Sequence, residues 1–301
     1  MHTGYIMKFD RSFYRAAFIV GIAVAATITA GQASAQIIYS NDFDHHQFTG
    51  TYREHHWEAD WNDPQWEDGI KEKRVKIVDG YQAYGGSGRS LAVKYPKGKY
   101  GTKNTGAQWI MELNDSYDEV LLSYSVKFKR GFDFVKGGKL PGLAGGTAPT
   151  GNVAANGYNG WTTRMMWRTT HTGNPGSPKQ KTSPAISYAK YRRSGPDNDG
   201  RIEDETPWLD PDGDLTMLKS NKWYDITQRI KMNDVGTSNG VLQIWLNDVL
   251  LVDKQDVEYR KTNSIGIDKL YFSTFFGGGY SWRTSKYETA YFDNFVIVAV
   301  D

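Results

Sequence analysis

The 301-residue sequence contains no cysteine, so no disulfide can hold the folded chain together and its stability must come from a packed core. Beyond the N-terminal segment there is no apolar run long enough to cross a bilayer. The sequence also has no large excess of charge of one sign, because it contains 36 Lys and Arg and 34 Asp and Glu. A polyanion would therefore have to bind at a local basic patch and not through the overall charge.

The first thirty-five residues have the features of an export signal. Three basic residues precede an apolar core over residues 16–28, and an Ala-Ser-Ala triplet ending at residue 35 offers a cleavage site. The apolar core is too short for a typical membrane span. We predict a signal peptide over residues 1–35 and a secreted or periplasmic mature protein.

The mature chain, residues 36–301, is predicted to be one domain. The signal carries three basic residues and one acidic residue, which leaves 33 of each and no net charge. Neither a linker nor an internal repeat divides the chain. We expect a monomer that has no nucleic-acid partner and no membrane partner.

Short alternating runs rich in aromatic residues and separated by Gly, Asn, Asp and Ser predict an all-β fold. The predicted architecture is a single β-jelly roll, a concanavalin-like sandwich of two antiparallel sheets with a groove on a concave sheet. The clearest strands cover residues 122–128, 161–168, 185–192, 241–247, 269–275 and 290–298. Asn247-Asp248 predicts a hairpin turn, and strand 37–43 is expected to pair with strand 291–298.

Residues 135–146 form the most distinctive stretch. Five of the twelve are glycine, and Pro141 restricts the backbone in the middle. A flexible linker would be rich in Gly and Ser and would not carry a Leu-Pro-Gly-Leu run. The stretch therefore predicts a rigid loop that presents one cation, Lys139.

The strand at 161–168 predicts a binding surface. Alternate side chains of a strand share a face, so Thr162, Arg164 and Arg168 lie opposite an apolar set that belongs in the core. The planar guanidinium of arginine can donate two parallel hydrogen bonds to a carboxylate. Further cations and aromatic side chains could reach the same surface: Tyr188, Lys190, Lys136, Lys139, Tyr280 and Trp282. Cations with aromatic rings at the rim suit an acidic polysaccharide.

Several motifs resemble family 14 of the polysaccharide lyases, which contains alginate lyases and relatives that cut other polyuronates. They are FDFVKGGKLPGL at 132–143, Thr-Thr-Arg at 162–164, and the FFGG and YFDNF runs at 275–278 and 291–295. The resemblance covers roughly residues 121–298. It implies a lyase that cleaves a β-1,4-linked polyuronate by β-elimination, and the signal segment makes a secreted enzyme the expectation. The expected substrate is mannuronate-rich alginate, with glucuronan as the alternative.

The resemblance also implies catalytic residues. The family lysine falls on Lys139 and its Ser-x-Arg motif on residues 162–164, where threonine replaces serine. The paired tyrosines of the family fall near Tyr188 and Tyr191, but Lys190 interrupts their spacing. Either Lys190 has replaced the second tyrosine, or one residue has been inserted and Tyr191 also acts. We favour Tyr188.

The residue types fit β-elimination. The reaction removes the C5 proton beside the sugar carboxylate, so it needs cations to stabilise the developing charge, a base and an acid. Tyrosine can serve as either, because nearby Lys and Arg favour the phenolate. We expect no metal or other cofactor to be required for this chemistry.

Two other functions are compatible with a similar sandwich. A glycoside hydrolase would need two carboxylates at suitable spacing, and no Glu-x-Asp-x-x-Glu pattern occurs. The acidic run 203–205 precedes Pro207 and is interpreted as a loop. A non-catalytic carbohydrate-binding module would use the same groove without a base.

Four histidines lie close together as the pairs His45-His46 and His55-His56. Imidazoles are common ligands of transition metals. If the pairs lie on strands, adjacent side chains point to opposite faces, so at most one of each pair could join a site. We expect histidines at the surface or the groove rim and not a metal centre.

The sequence leaves the roles of two further clusters of residues open. Trp57, Trp61 and Trp66 could form a lid over the substrate or part of the core. A structural Ca²⁺, which prefers oxygen ligands, could bind aspartates near the first and last strands. These aspartates are Asp42, Asp44 and Asp293.

Overall fold

The computed structural model describes residues 34–151, 153–168, 182–190 and 204–300, with the backbone alone for 182–190 and 204. The strands, in chain order, are β1 (Ala35–Asn41), β2 (Gly50–Thr51), β3 (Glu67–Asp68), β4 (Val75–Asp79), β5 (Arg89–Tyr95), β6 (Ala107–Tyr117), β7 (Glu119–Phe128), β8 (Gly137–Gly146), β9 (Gly160–Arg168), β10 (Thr182–Lys190), β11 (Asp204–Pro207), β12 (Met217–Lys219), β13 (Trp223–Lys231), β14 (Gly240–Leu246), β15 (Val249–Val257), β16 (Ile267–Thr274) and β17 (Glu288–Val300). One α-helix, α1 (Glu54–Asp60), and the 3₁₀ turns Gly80–Gln82, Tyr84–Gly86 and Tyr280–Trp282 complete the described elements.

The described strands form two antiparallel sheets, which confirms the predicted all-β sandwich. The first sheet has the order β15-β14-β13-β7-β17-β5-β4-β2, and β1 also pairs with β17. The second sheet has the order β11-β10-β9-β8-β16-β6-β3, and β12 also pairs with β10. No helix among the described residues is long and apolar enough to cross a membrane.

The predicted pairing of the first and last strands is confirmed, since β1 runs antiparallel to β17 from Ala35↔Val300 to Asn41↔Phe295. The hairpin turn is confirmed as well. Asn247 and Asp248 have φ of 47° and 69°, the left-handed region that a tight two-residue turn requires.

The loop prediction for the acidic run 203–205 is wrong for its described residues. Asp204 and Glu205 belong to strand β11, which pairs with β10, and residue 203 lies outside the described residues. Pro207 is the last residue of β11, where a missing backbone donor is tolerated. Asp204 and Glu205 therefore mark an outer strand of the second sheet.

The loop prediction for 135–146 is also wrong, because β8 is an interior strand between β9 and β16. Its glycines are required by close neighbours. A Cβ on Gly138 would lie 2.1 Å from the Trp167 ring, and one on Gly142 would lie 2.0 Å from the Thr163 carbonyl oxygen. Glycine here makes room for packing and not for a turn.

A buried glutamine links the two sheets where β8 bulges at Pro141. The backbone N–H of Leu143 donates to Gln228 Oε1 at 2.9 Å, and Gln228 Nε2 donates to Thr163 Oγ1 at 2.8 Å. Gln228 belongs to the first sheet, whereas Leu143 and Thr163 belong to the second. These bonds satisfy polar groups that would be costly to bury without partners.

The core between the sheets is rich in aromatic rings. Trp109 and Phe272 stack at 4.0 Å, and Trp61 packs edge-on against Trp109 at 5.0 Å. Trp57 is also buried in this core. Of the three tryptophans that could have formed a lid, Trp57 and Trp61 therefore fasten α1 to the core.

Candidate active site

Strand register aligns five positions across the second sheet. Tyr271 of β16 lies opposite Ile110 of β6 and Gly142 of β8, Gly142 lies opposite Arg164 of β9, and Arg164 lies opposite Tyr188 of β10. Residues directly opposite in an antiparallel pair share a face of the sheet. These positions therefore lie in one row on the face that points away from the core, called here the outer face.

The guanidinium of Arg164 is held in place on the outer face. Its Cζ lies 4.7 Å from the centroid of the Tyr271 ring, and its Nη1 donates to Ser273 Oγ at 3.1 Å. The side chain is 3% exposed. Gly142 lies between the two strands that carry Arg164 and Tyr271, so no side chain keeps them apart.

Burial raises the pKa of Tyr271, while the nearby Arg164 cation and a hydrogen bond with Thr150 act in the opposite direction. The phenol under the guanidinium is therefore kept neutral. A neutral ring can support the cation through its π face without forming an ion pair with it.

Lys139 lies on the same outer face. It pairs in register with Met166, two residues along β9 from Arg164, and its Nζ is 2.9 Å from Met166 Sδ. Its side chain is 7% exposed, and its backbone N–H donates to the Phe275 carbonyl at 3.0 Å. The sequence prediction that Lys139 and Arg164 face the same surface is confirmed, although Lys139 comes from a strand and not from a loop.

The alternation predicted for β9 is confirmed on its other face. Trp161, Met165 and Trp167 are in the core. Thr163 bonds to Gln228 of the first sheet. The apolar half of β9 therefore holds the strand while its polar half faces outward.

Arg168 and Lys136 mark one rim of this surface. The Arg168 guanidinium lies 4.7 Å from the Trp282 ring centroid, and its Nη2 is 3.3 Å from Glu205 Oε1. Lys136 Nζ donates to Ser281 Oγ at 3.0 Å. The loop around residue 280 is thus joined to the start of β8 and the end of β9, as the pairing of cations and aromatic residues suggested.

Two other predicted substrate-binding residues differ in exposure. Thr162 is fully buried, and its hydroxyl donates to the Pro149 carbonyl at 3.1 Å. Tyr280 is exposed, and the Arg283 guanidinium lies 3.7 Å from its ring centroid. Tyr280 is therefore accessible although Arg283 covers one face of its ring, whereas Thr162 supports the segment that covers it.

Strand β10 carries the predicted proton-transfer residue. Tyr188 lies between Arg164 and Glu205 in register, and Lys190 pairs with Thr162. Tyr191 lies outside the described residues. Of the two candidate tyrosines, Tyr188 is thus the one whose place next to Arg164 is described.

Two residues of this surface were not predicted. Tyr271 and Ser273 alternate along a strand whose extent was predicted, so the alternation that placed Arg164 could also have found them. Trp66, for which the sequence left a lid over the substrate and a place in the core open, also reaches this surface. It is 40% exposed, and its ring meets Tyr271 edge-on at 6.1 Å.

Away from this surface, the expectation that adjacent histidines point to opposite faces is wrong for His45 and His46. His45 and His46 lie in a turn after β1 and not on a strand. Both imidazoles therefore reach the same carboxylate, that of Asp60 at the end of α1.

The aspartates considered for calcium have protein partners. Asp44 Oδ1 accepts from the Arg89 N–H at 2.6 Å, and Asp293 accepts from the Ser90 hydroxyl and the Asn294 N–H. Burial raises the pKa of Asp293 to about 8, and the nearby Asp44 and Asp42 carboxylates contribute in the same direction. A calcium ion at this cluster stays a prediction.

The sequence model of polysaccharide lyase 14 matches residues 84–295. The chain belongs to polysaccharide lyase family 14. The predicted family is confirmed, and the protein is a polysaccharide lyase, not a hydrolase or a non-catalytic module. The match includes every predicted site residue.

The lyase is similar to solved structures of the same fold. Alginate lyase Aly36B, solved as a variant with alginate tetrasaccharide, is 22% identical with a TM-score of 0.68, over 88% of this chain and 96% of that one. An alginate lyase from Aplysia kurodai is 24% identical with a TM-score of 0.65, over 88% and 99%. The endo-β-1,4-glucuronan lyase of Trichoderma reesei is 11% identical with a TM-score of 0.52, over 87% and 95%. Comparison with curated proteins found no match.

Proposed function

We propose that this lyase cleaves β-1,4-linked polyuronates and that its substrate is alginate, with a preference for mannuronate-rich regions. The observation that carries the proposal is the row of Tyr271, Arg164 and Tyr188, with Lys139 on the same face. A fixed guanidinium beside an ammonium suits a sugar carboxylate. Glucuronan is the second candidate, but the alginate lyases have higher TM-scores than the glucuronan lyase.

In the proposed mechanism, Arg164 and Lys139 bind the carboxylate of the sugar whose C5–H bond breaks. A base removes the C5 proton, its electron pair forms the C4–C5 double bond, and the C4–O bond breaks. The leaving oxygen then takes a proton. The two cations stabilise the negative charge that builds up on the carboxylate during proton removal.

Tyr188 is the group that we propose moves the proton. Its register position next to Arg164 supports this role, since a nearby cation favours the phenolate. A phenolate could take the C5 proton, and the resulting phenol could return it to the leaving oxygen. This transfer of the C5 proton to the leaving oxygen needs no metal, oxidant or reductant.

Aromatic rings at two edges of the surface would hold the neighbouring sugars. Trp282 lies beside Arg168, Tyr280 belongs to the same 3₁₀ turn as Trp282, and Trp66 lies beside Tyr271. Sugar rings pack against such faces with little loss of side-chain freedom. The polymer would then contact rings on both sides of the reacting sugar.

We also propose that the enzyme acts as an exported monomer. The basic, apolar and small-residue order of residues 1–35 supports cleavage after residue 35. An extracellular polymer is accessible to an enzyme exported in this way. N-terminal sequencing of the secreted protein and light scattering of the purified chain test the two statements.

The deciding experiment incubates the tag-free mature protein with polymannuronate, polyguluronate and glucuronan. The unsaturated uronate formed by elimination absorbs in the ultraviolet, and mass spectrometry identifies the products. We expect the fastest rise on polymannuronate. A faster rate on glucuronan would overturn the alginate proposal, and equal rates on the two alginates would overturn the mannuronate preference.

A further inference from the structure

Two imidazoles and a carboxylate converge at a place that the elimination chemistry does not use. His45 Nε2 lies 3.0 Å from Asp60 Oδ1, and His46 Nε2 lies 2.7 Å from Asp60 Oδ2. One ligand atom from each residue lies within 4.8 Å of the others. Metal–ligand bonds of about 2.1 Å in a tetrahedral site place ligand atoms roughly 3.4 Å apart, so small side-chain shifts would suffice.

The carboxylate of this group is already oriented. Asp60 is buried at the end of α1, and Tyr52 Oη donates to its Oδ2. The Tyr52 oxygen in turn accepts from Trp61 Nε1 at 3.1 Å, and Trp61 is in the core. Such supporting bonds fix ligand direction and are typical of metal sites in proteins.

Solvent reaches the group through a cavity of about 560 Å³ whose lining includes His45, Asp60, Asp42 and Asn62. The His45 side chain is 57% exposed, whereas the other two are about 5% exposed. The open side leaves room for water as a further ligand. Three protein ligands and one open position are compatible with a tetrahedral ion.

We propose that His45, His46 and Asp60 bind a divalent transition-metal ion, with Zn²⁺ as the ion that fits the donors best. Imidazole nitrogen suits zinc, copper and nickel, whereas calcium and magnesium prefer oxygen ligands. The ion would join the turn after β1 to the end of α1. Since β1 belongs to the first sheet and the candidate active site to the second, the ion stabilises the fold and takes no part in elimination.

The test titrates chelator-treated, tag-free mature protein with zinc sulfate by calorimetry. We expect one ion per chain and a melting temperature that rises with the logarithm of zinc concentration. Cobalt(II) substitution should give the visible absorption of a tetrahedral nitrogen–oxygen site. No binding heat and no rise in melting temperature would overturn the proposal.

The decisive variant is His45→Ala, because an exposed ligand can be removed without disturbing the core. It should lower zinc affinity by about tenfold or more. The matched control is His55→Ala, which removes an exposed histidine of α1 that is outside the group. If both variants bind zinc like the parent, the proposed zinc site is wrong, and Asp60 serves only as a hydrogen-bond partner of His45 and His46. Lyase activity should be the same with and without zinc.

Discussion

The Arg164 guanidinium lies over the ring of Tyr271, 4.7 Å from its centroid, because the residue between them in register is a glycine. Two groups that orient the guanidinium, Tyr271 and Ser273, belong to β16. Tyr271 and Ser273 are already in contact with Arg164 before substrate binds. A cation fixed before the reaction stabilises charge without the cost of reorganising at that moment.

Replacing Arg164 should remove this stabilisation. We expect Arg164→Ala to lower kcat/KM on alginate by about two orders of magnitude or more. Arg164→Lys keeps the charge but loses the planar fork, so it should recover only part of the activity. Circular dichroism must show a folded protein in both cases. Near-normal turnover of folded Arg164→Ala would exclude the proposed role.

The role of Gly142, which lies between Arg164 and Tyr271 in register, can be tested by substitution. A Cβ on Gly142 would lie 2.0 Å from the Thr163 carbonyl oxygen, so Gly142→Ala should force β8 and β9 apart. We expect a stability loss of about 2 kcal/mol or more in urea unfolding, together with lost activity. The control is Gly277→Ala, whose new Cβ would meet only an ordinary contact at 3.6 Å. Equal stability of the two variants would contradict the packing argument.

Tyr188→Phe keeps the ring and removes only the hydroxyl. Because Tyr188 lies next to Arg164 in register, we expect kcat to fall about a hundredfold or more while oligosaccharide affinity changes little. Tyr191→Phe is the matched comparison. If the second variant loses activity and the first does not, the inserted-residue alignment is right. If both stay active, Lys139 becomes the leading candidate for the base.

Trp66 should contribute to substrate binding and not to chemistry. We expect Trp66→Ala to raise KM for polymeric alginate several-fold and to leave kcat nearly unchanged, since the ring is exposed beside Tyr271. Tyr81→Ala is the control, because Tyr81 is an exposed aromatic residue whose carbonyl accepts from Lys127 of the first sheet. A fall in kcat without a change in KM would oppose this role.

Asp293 should make stability depend on pH. Its pKa is raised by burial to about 8 in the folded chain, whereas an unfolded aspartate titrates near about 3.9. The folded state therefore holds a proton that the unfolded state releases, and the resulting stabilisation, present at low pH, is lost as pH rises toward 8. In the presence of a chelator, Asp293→Asn should flatten this decline, and Asp63→Asn at an exposed site should not.

The same experiment tests whether a calcium ion binds at this cluster. A bound cation would favour the ionised carboxylate. Millimolar calcium should then raise the melting temperature most at high pH in the parent and not in Asp293→Asn. No change on adding calcium would oppose an ion at this cluster.

The sequence predicted the sandwich because alternation and turn residues are local properties. It placed Arg164 correctly, since the two faces of β9 differ sharply in polarity. It misplaced β8, because glycine and proline look the same in a loop and in a strand whose neighbours approach closely. The close approach of Trp167 to Gly138 and of Thr163 to Gly142 shows that these glycines belong to a strand, and this approach is visible only in the structure.

Contacts between distant segments could not be predicted, because alternation and turn residues report only on local structure. Trp66 meets Tyr271 although 205 positions separate them in the chain. The expectation for the histidine pairs assumed strands, whereas His45-His46 lie in a turn and His55-His56 lie in α1, and neither directs successive side chains as a strand does. Periodicity identifies faces, but it does not show which loop lies beside them.

The central place of β17 has a consequence for biosynthesis. It pairs with β7 on one side and with β1 and β5 on the other, so without it the described part of the first sheet separates into three pieces, which are β15-β14-β13-β7, β5-β4-β2 and β1 alone. β17 follows every other described strand of the first sheet in the chain, so it is translated after them. The first sheet therefore cannot close before β17 has been translated, and until then the edges of β7 and β5 are open to chaperones or to other copies of the chain.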